Sequence, residues 1–100
     1  MGFKKNKHDR YVDKLVNMIK YNYDHISTHQ KVSRRKRLVA EIDVVATKGD
    51  IIHIYEVKCS YRISKAKKQF KRIRKLFPNE NLMCYFYCGM SDKLVEVEAV

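Results

Sequence analysis

Asp43, Glu56 and Lys58 are the residues of this chain whose types and spacing could do chemistry. Two carboxylates and an ammonium brought together can hold a hard divalent cation and direct a water at a phosphodiester. Asp43 stands in Glu41-Ile42-Asp43-Val44-Val45-Ala46, and the other two in Ile54-Tyr55-Glu56-Val57-Lys58. Both runs are rich in β-branched residues, which predicts strands over Leu38 to Thr47 and Ile51 to Lys58, joined as a hairpin across Lys48-Gly49-Asp50.

The turn sets the register. With Gly49 and Asp50 as the two loop residues, paired positions have numbers that sum to 99, so Asp43 faces Glu56 and Glu41 faces Lys58. Strand alternation places these four on one face and Ile42, Val44, Tyr55 and Val57 on the other. Directly opposed Cβ atoms lie ~5 Å apart, a separation at which two carboxylates destabilise a sheet. A cation offsets that repulsion, with Asp43 and Glu56 as ligands and the backbone carbonyl of Val57 as a third. Lys58 is then placed to orient or deprotonate the attacking water and to neutralise charge developing on the phosphate, while Glu41 can hold the Lys58 ammonium. A Glu-x-Lys in a strand is by itself usually a solvated face. The Asp opposite it across a tight turn, in a strongly basic chain, is what points to chemistry.

Other elements must position this pair. Residues 1–8 read as a basic tail, followed by a helix from Asp9 to about Tyr23 with Val12, Leu15, Val16, Ile19 and Tyr23 at helical spacing. Asp24, His25 and Ser27 supply loop chemistry, and His29 to Arg37 reads as a solvated edge strand. A second helix fits Ser64 to Phe77, with Ser64 as a possible N-cap and Ala66, Phe70, Ile73 and Phe77 as its apolar stripe. Pro78-Asn79-Glu80-Asn81 ends it. Leu82 to Cys88 reads as a buried strand, Gly89 to Asp92 as a turn and Leu94 to Val100 as a last strand. The order α-β-β-β-α-β-β predicts one α/β domain over residues 1–100, a central mixed sheet flanked by helices.

Charge narrows the partner. The 100 residues carry 22 Lys and Arg against 11 Asp and Glu, a formal +11, and such self-repulsion is tolerated most readily beside a polyanion. Nucleic acid heads the list, before an anionic membrane surface or a merely basic protein. Lys31, Arg34, Arg35 and Arg37 on one side, and Arg62, Lys65, Lys68 and Arg72 on the other, could form two basic walls contacting phosphates, although each alone is as readily a solvated side chain. The seven tyrosines fit core and edge packing better than base stacking. Cys59, Cys84 and Cys88 look reduced, and their spacing does not make a zinc site. No apolar run reaches the ~18 residues of a membrane span, and Met1-Gly2-Phe3-Lys4-Lys5 lacks the apolar core of a leader, which predicts an intracellular, soluble, cytoplasmic protein with no membrane partner.

The segment 41–58 resembles the signature of the PD-(D/E)xK nuclease superfamily, an Asp on one strand followed by Glu-x-Lys on the next, and its texture is similar to that of archaeal Holliday-junction resolvases. The resemblance covers about residues 9–77. Ile42 replaces the Pro that often precedes the Asp. The resemblance implies a restriction-endonuclease-like α-β-β-β-α-β core, Mg²⁺ (or Mn²⁺) as cofactor, hydrolysis of DNA phosphodiesters, and a homodimer. A hundred residues leave little room for a sequence-reading module, which favours branched, flapped or single-stranded DNA over a defined sequence. The resemblance also implies an acidic residue on the first helix near the metal. Asp9 matches, bordering the apolar stripe, with a helix N-cap as its alternative. Some relatives carry a Gln or Lys on the helix after Glu-x-Lys that faces the active site. Gln69 matches, and is equally an ordinary boundary residue. The competing reading is a catalytically silent nucleic-acid-binding protein that keeps the nuclease fold.

Overall fold

The β-branched runs and polar turns of the sequence assemble into one mixed sheet of five strands in the order β1-β2-β3-β4-β5, with a helix on each face. The computed structural model describes residues 5–98. Its elements are α1 (Lys7–Ile19), a single 3₁₀ turn (Lys20–Asn22), β1 (His25–Arg34), β2 (Arg37–Lys48), β3 (Ile51–Lys58), α2 (Ile63–Leu76), β4 (Leu82–Cys88) and β5 (Lys93–Val97). Neighbouring strands are antiparallel except β3 and β4, which run parallel because α2 carries the chain back between them. The class is therefore α+β, and the expected α/β character is confined to the β3-α2-β4 unit.

Each face of the sheet has its own core. Ile54, Leu82, Cys84, Phe86 and Cys88 pack under Ala66, Phe70 and Ile73 of α2. Val44, Ala46, Tyr55, Val57 and Tyr87 pack under Val12, Leu15 and Ile19 of α1. Leu15, Phe86 and Tyr87 are wholly buried, and a large apolar side chain removed from water contributes roughly 1.5–3 kcal/mol. Gly89 lets α1 approach, since a Cβ there would lie 2.1 Å from the Tyr11 ring.

Boundaries differ from expectation where local chemistry outweighs periodicity. Helix α1 starts at Lys7, because the Asn6 side chain accepts from the Asp9 amide at 2.7 Å and caps it. Lys7 and His8 are thus helical, and the rest of the expected tail over residues 1–4 lies outside the described residues. Ser64 does not cap α2, which begins one residue earlier from Arg62 without a side-chain cap. Strand β1 reaches back through Ser27 to His25, which pairs with Thr47, where polarity suggested a loop. Edge strands bury little, so their sequence need not alternate. The last strand ends at Val97, and residues 99–100 of its expected span lie outside the described ones.

Candidate active site

The Gly49-Asp50 turn, with Gly49 at φ 57, sets the expected register: Lys48↔Ile51 through Val44↔Tyr55, each pair summing to 99. The ladder stops at Val44↔Tyr55, one step short of Asp43 and Glu56. Here β2 turns over. Ile42 packs on the α2 side and Val44 on the α1 side, although two residues apart in a regular strand share a face. Ile42 therefore does not point with Val44, Tyr55 and Val57 as alternation predicted. The β1–β2 ladder also steps over this position, from Thr28↔Val44 to Gln30↔Ile42, and His29, which would oppose Asp43, has a left-handed φ of 52. Strand β2 loses its regular pairing with both neighbours at one level of the sheet, and the acidic side chains gather there.

Asp43 and Glu56 are buried, 7% and 6% exposed. One Asp43 oxygen, Oδ2, accepts the Val57 amide at 2.8 Å, so the carboxylate takes over the hydrogen bond that the parted ladder leaves unmade. Burial pushes the Glu56 carboxyl up to about 9, aided by its hydrogen bond with Asp43 and by the Asp43 charge, while the Lys58 ammonium pulls it down. Burial beside Asp43 thus favours the protonated form of Glu56 until a cation offsets the charge. Lys58 ends β3, partly buried, and its carbonyl accepts the Gly89 amide at 2.8 Å, which fixes the strand end to the β4–β5 turn.

Two histidines join the carboxylates. The first turn of α1 directs His8 inward, where Nε2 donates to the Val57 carbonyl at 2.9 Å and lies 3.4 Å from Asp43 Oδ2. His29 presents Nδ1 to Glu41 Oε1 at 3.4 Å and Nε2 to Asp9 Oδ1 at 3.6 Å. Asp9 also lies 3.7 Å from His8 Nδ1. The sequence reading missed both histidines. The one signal for His8 was the Asn6-x-x-Asp9 capping pattern, which puts residue 8 in a helical first turn beside Asp9.

The expected residues fall into three groups. Asp43, Glu56, Val57 and Lys58 meet where β2 and β3 part. Glu41 is turned to His29 instead of holding Lys58, because the β2 twist at Asp43 breaks the alternation that would have aligned them. Asp9 faces the histidines and is not the N-cap, a place taken by Asn6. Gln69 donates Nε2 to the Glu41 carbonyl at 3.1 Å and so ties α2 to β2 at this level.

An ion at Asp43 and Glu56 finds buried carboxyl oxygens, and the Val57 carbonyl beside them already receives His8. The donor types suit Mg²⁺ or Mn²⁺, provided Glu56 gives up its proton. Lys31, Arg34, Arg35, Arg37, Arg62, Lys65, Lys68 and Arg72 are all exposed. Helical spacing sets Lys65 and Arg72 toward the side of α2 that carries Gln69, whereas Lys68 lines a cavity with Val97 and Glu98 at the β5 edge. Arg34 and Arg37 close the β1–β2 hairpin around Arg35 and Lys36, both at positive φ. Tyr23, Tyr55 and Tyr85 pack together on the sheet, with Tyr55 stacked on Tyr85 at 4.9 Å. The cysteines are free. Among the described residues no helix is long and apolar enough to cross a membrane. Comparison of the chain with family models, with curated proteins and with solved structures returns no match.

Proposed function

We propose that this chain is a divalent-metal-dependent DNA endonuclease with a restriction-endonuclease-like core, structure-selective in the manner of a Holliday-junction resolvase. The observation that carries the reading is the buried Asp43–Glu56 pair with Lys58 on the same strand end, set where two strands part. Helix α2 between parallel β3 and β4, after an antiparallel β1-β2-β3 meander, supports the fold assignment.

Bound Mg²⁺ or Mn²⁺ lowers the pKa of a coordinated water and offsets phosphate charge. Asp43 and Glu56 would hold it, with the Val57 carbonyl alongside. Lys58 orients the attacking water and neutralises charge on the phosphate. The basic residues of α2 and of the β1–β2 hairpin hold the nucleic-acid backbone without reading sequence. A second subunit would let two strands be cut symmetrically. The test is incubation with Mg²⁺ or Mn²⁺ of linear, flapped, single-stranded and four-way-junction DNA, with cleavage of at least one branched form expected.

One observation favours a second reading, a catalytically silent nucleic-acid-binding protein. His8 occupies the Val57 carbonyl and stands beside Asp43, where an incoming ion needs room. DNA bound but left intact with both metals selects that reading.

A further inference from the structure

We infer that His29, Glu41 and Asp43 form a cation site of mixed nitrogen and oxygen donors that takes a divalent first-row transition ion in preference to Mg²⁺. Each side chain offers one ligand atom, and these atoms lie within 4.8 Å of one another. Asp43 is shared with the proposed nuclease centre and the Glu41 charge reaches Glu56, whereas His29 comes from β1 and has no place in that centre. The inference therefore stands on its own geometry and needs no cleavage activity.

Three features build the site. The left-handed backbone at His29 interrupts β1 opposite Asp43 and brings the ring to Glu41, with Nδ1 3.4 Å from Oε1. The other ring nitrogen, Nε2, faces Asp9 Oδ1 at 3.6 Å. Asp9 stands just beyond hydrogen-bond distance, and closing on that N–H as a metal binds would fix the tautomer and raise the basicity of Nδ1. Gln69 steadies the strand that carries Glu41 through the Glu41 carbonyl. His29 and Glu41 are 41% and 42% exposed, so an ion can enter from solvent and keep water ligands.

Donor chemistry decides the ion. Imidazole suits Zn²⁺, Fe²⁺, Co²⁺ and Ni²⁺, whereas Mg²⁺ demands oxygen and sheds water reluctantly. Asp9, on this reading, is not a ligand but the residue that positions His29.

Titration of the chelator-stripped protein with Co²⁺, followed by visible absorption and calorimetry and repeated with Mg²⁺, tests the site. His29→Asn is the informative variant, because Asn tolerates the left-handed backbone and circular dichroism can verify the fold. Glu41→Gln serves as the second. The expected result is Co²⁺ bound at least tenfold more tightly than Mg²⁺ by wild type, with at least a tenfold loss of Co²⁺ affinity in each variant. Superimposable Co²⁺ isotherms for wild type and both variants would overturn the assignment, as would Co²⁺ binding no tighter than Mg²⁺. Histidine-dependent Co²⁺ binding without cleavage of any DNA sustains this site while sinking the nuclease reading, and cleavage without it does the reverse.

Discussion

Replacing Glu56 by Gln should stabilise the metal-free protein at neutral pH while removing the proposed activity. The carboxyl is pushed from 4.5 up to about 9 by burial against Asp43. In the unfolded chain it is ionised at pH 7, so folding requires uptake of a proton. Between the two values the folded state binds more protons, and stability, complete below 4.5, is lost as pH rises toward 9. At ~1.4 kcal/mol per pH unit the loss accumulated by pH 7 is about 3 kcal/mol. Gln keeps the shape and a donor toward Asp43 without an ionisation, so Glu56→Gln recovers much of this, a rise in Tm of roughly 10 °C for a domain this small. Thermal unfolding in chelator from pH 4 to pH 9 is the assay, with wild type falling across the range, the variant nearly flat and the two similar at pH 4. Added Mg²⁺ or Mn²⁺ should narrow the gap, because a hundredfold excess over Kd stabilises the wild type by ~2.7 kcal/mol and the variant by less. A flat wild-type profile in chelator, or a variant less stable than wild type at pH 8, would refute the reasoning.

Further expectations follow from packing and charge. Gly89→Ala drives a methyl into the Tyr11 ring and should destabilise by about 1–3 kcal/mol, read as a lower urea midpoint, with α1 and His8 displaced. Replacing Lys65, Lys68 and Arg72 together by Gln should flatten the salt dependence of DNA binding, reducing the slope of log K against log salt by ~0.9 for each phosphate no longer neutralised. Arg35→Asn with Lys36→Gly relieves two left-handed residues at the hairpin tip, and should raise stability by about 1 kcal/mol or more in denaturant titration while weakening DNA binding.

The parts of the fold legible in the sequence are those with local chemistry. Gly49-Asp50 carries its own turn signature, and the register it fixes is the one observed over five pairs. Periodicity places both helices, and the register brings β2 and β3 to within one step of Asp43 and Glu56, where the ladder ends. What was not legible depends on contacts distant in sequence. The β1–β2 turn is built from Arg35 and Lys36, neither a residue type that announces positive φ, so nothing tied His29 to Asp43. The turning over of β2 at Asp43 shows only in the assembled sheet, where Ile42 joins the α2 side, Val44 the α1 side and Glu41 meets His29. His8 falls in a run that reads as a basic tail, and only the Asn6 cap makes that run helical.

The most direct test of the central claim is the single-turnover rate of four-way-junction cleavage with Mn²⁺ for wild type, Asp43→Asn and Lys58→Ala, with binding of the same DNA measured alongside. The account predicts cleavage by wild type, a loss of at least ~100-fold in each variant as expected for a general base or charge-stabilising group, and DNA affinity within a few-fold of wild type. Equal cleavage by wild type and both variants would contradict it.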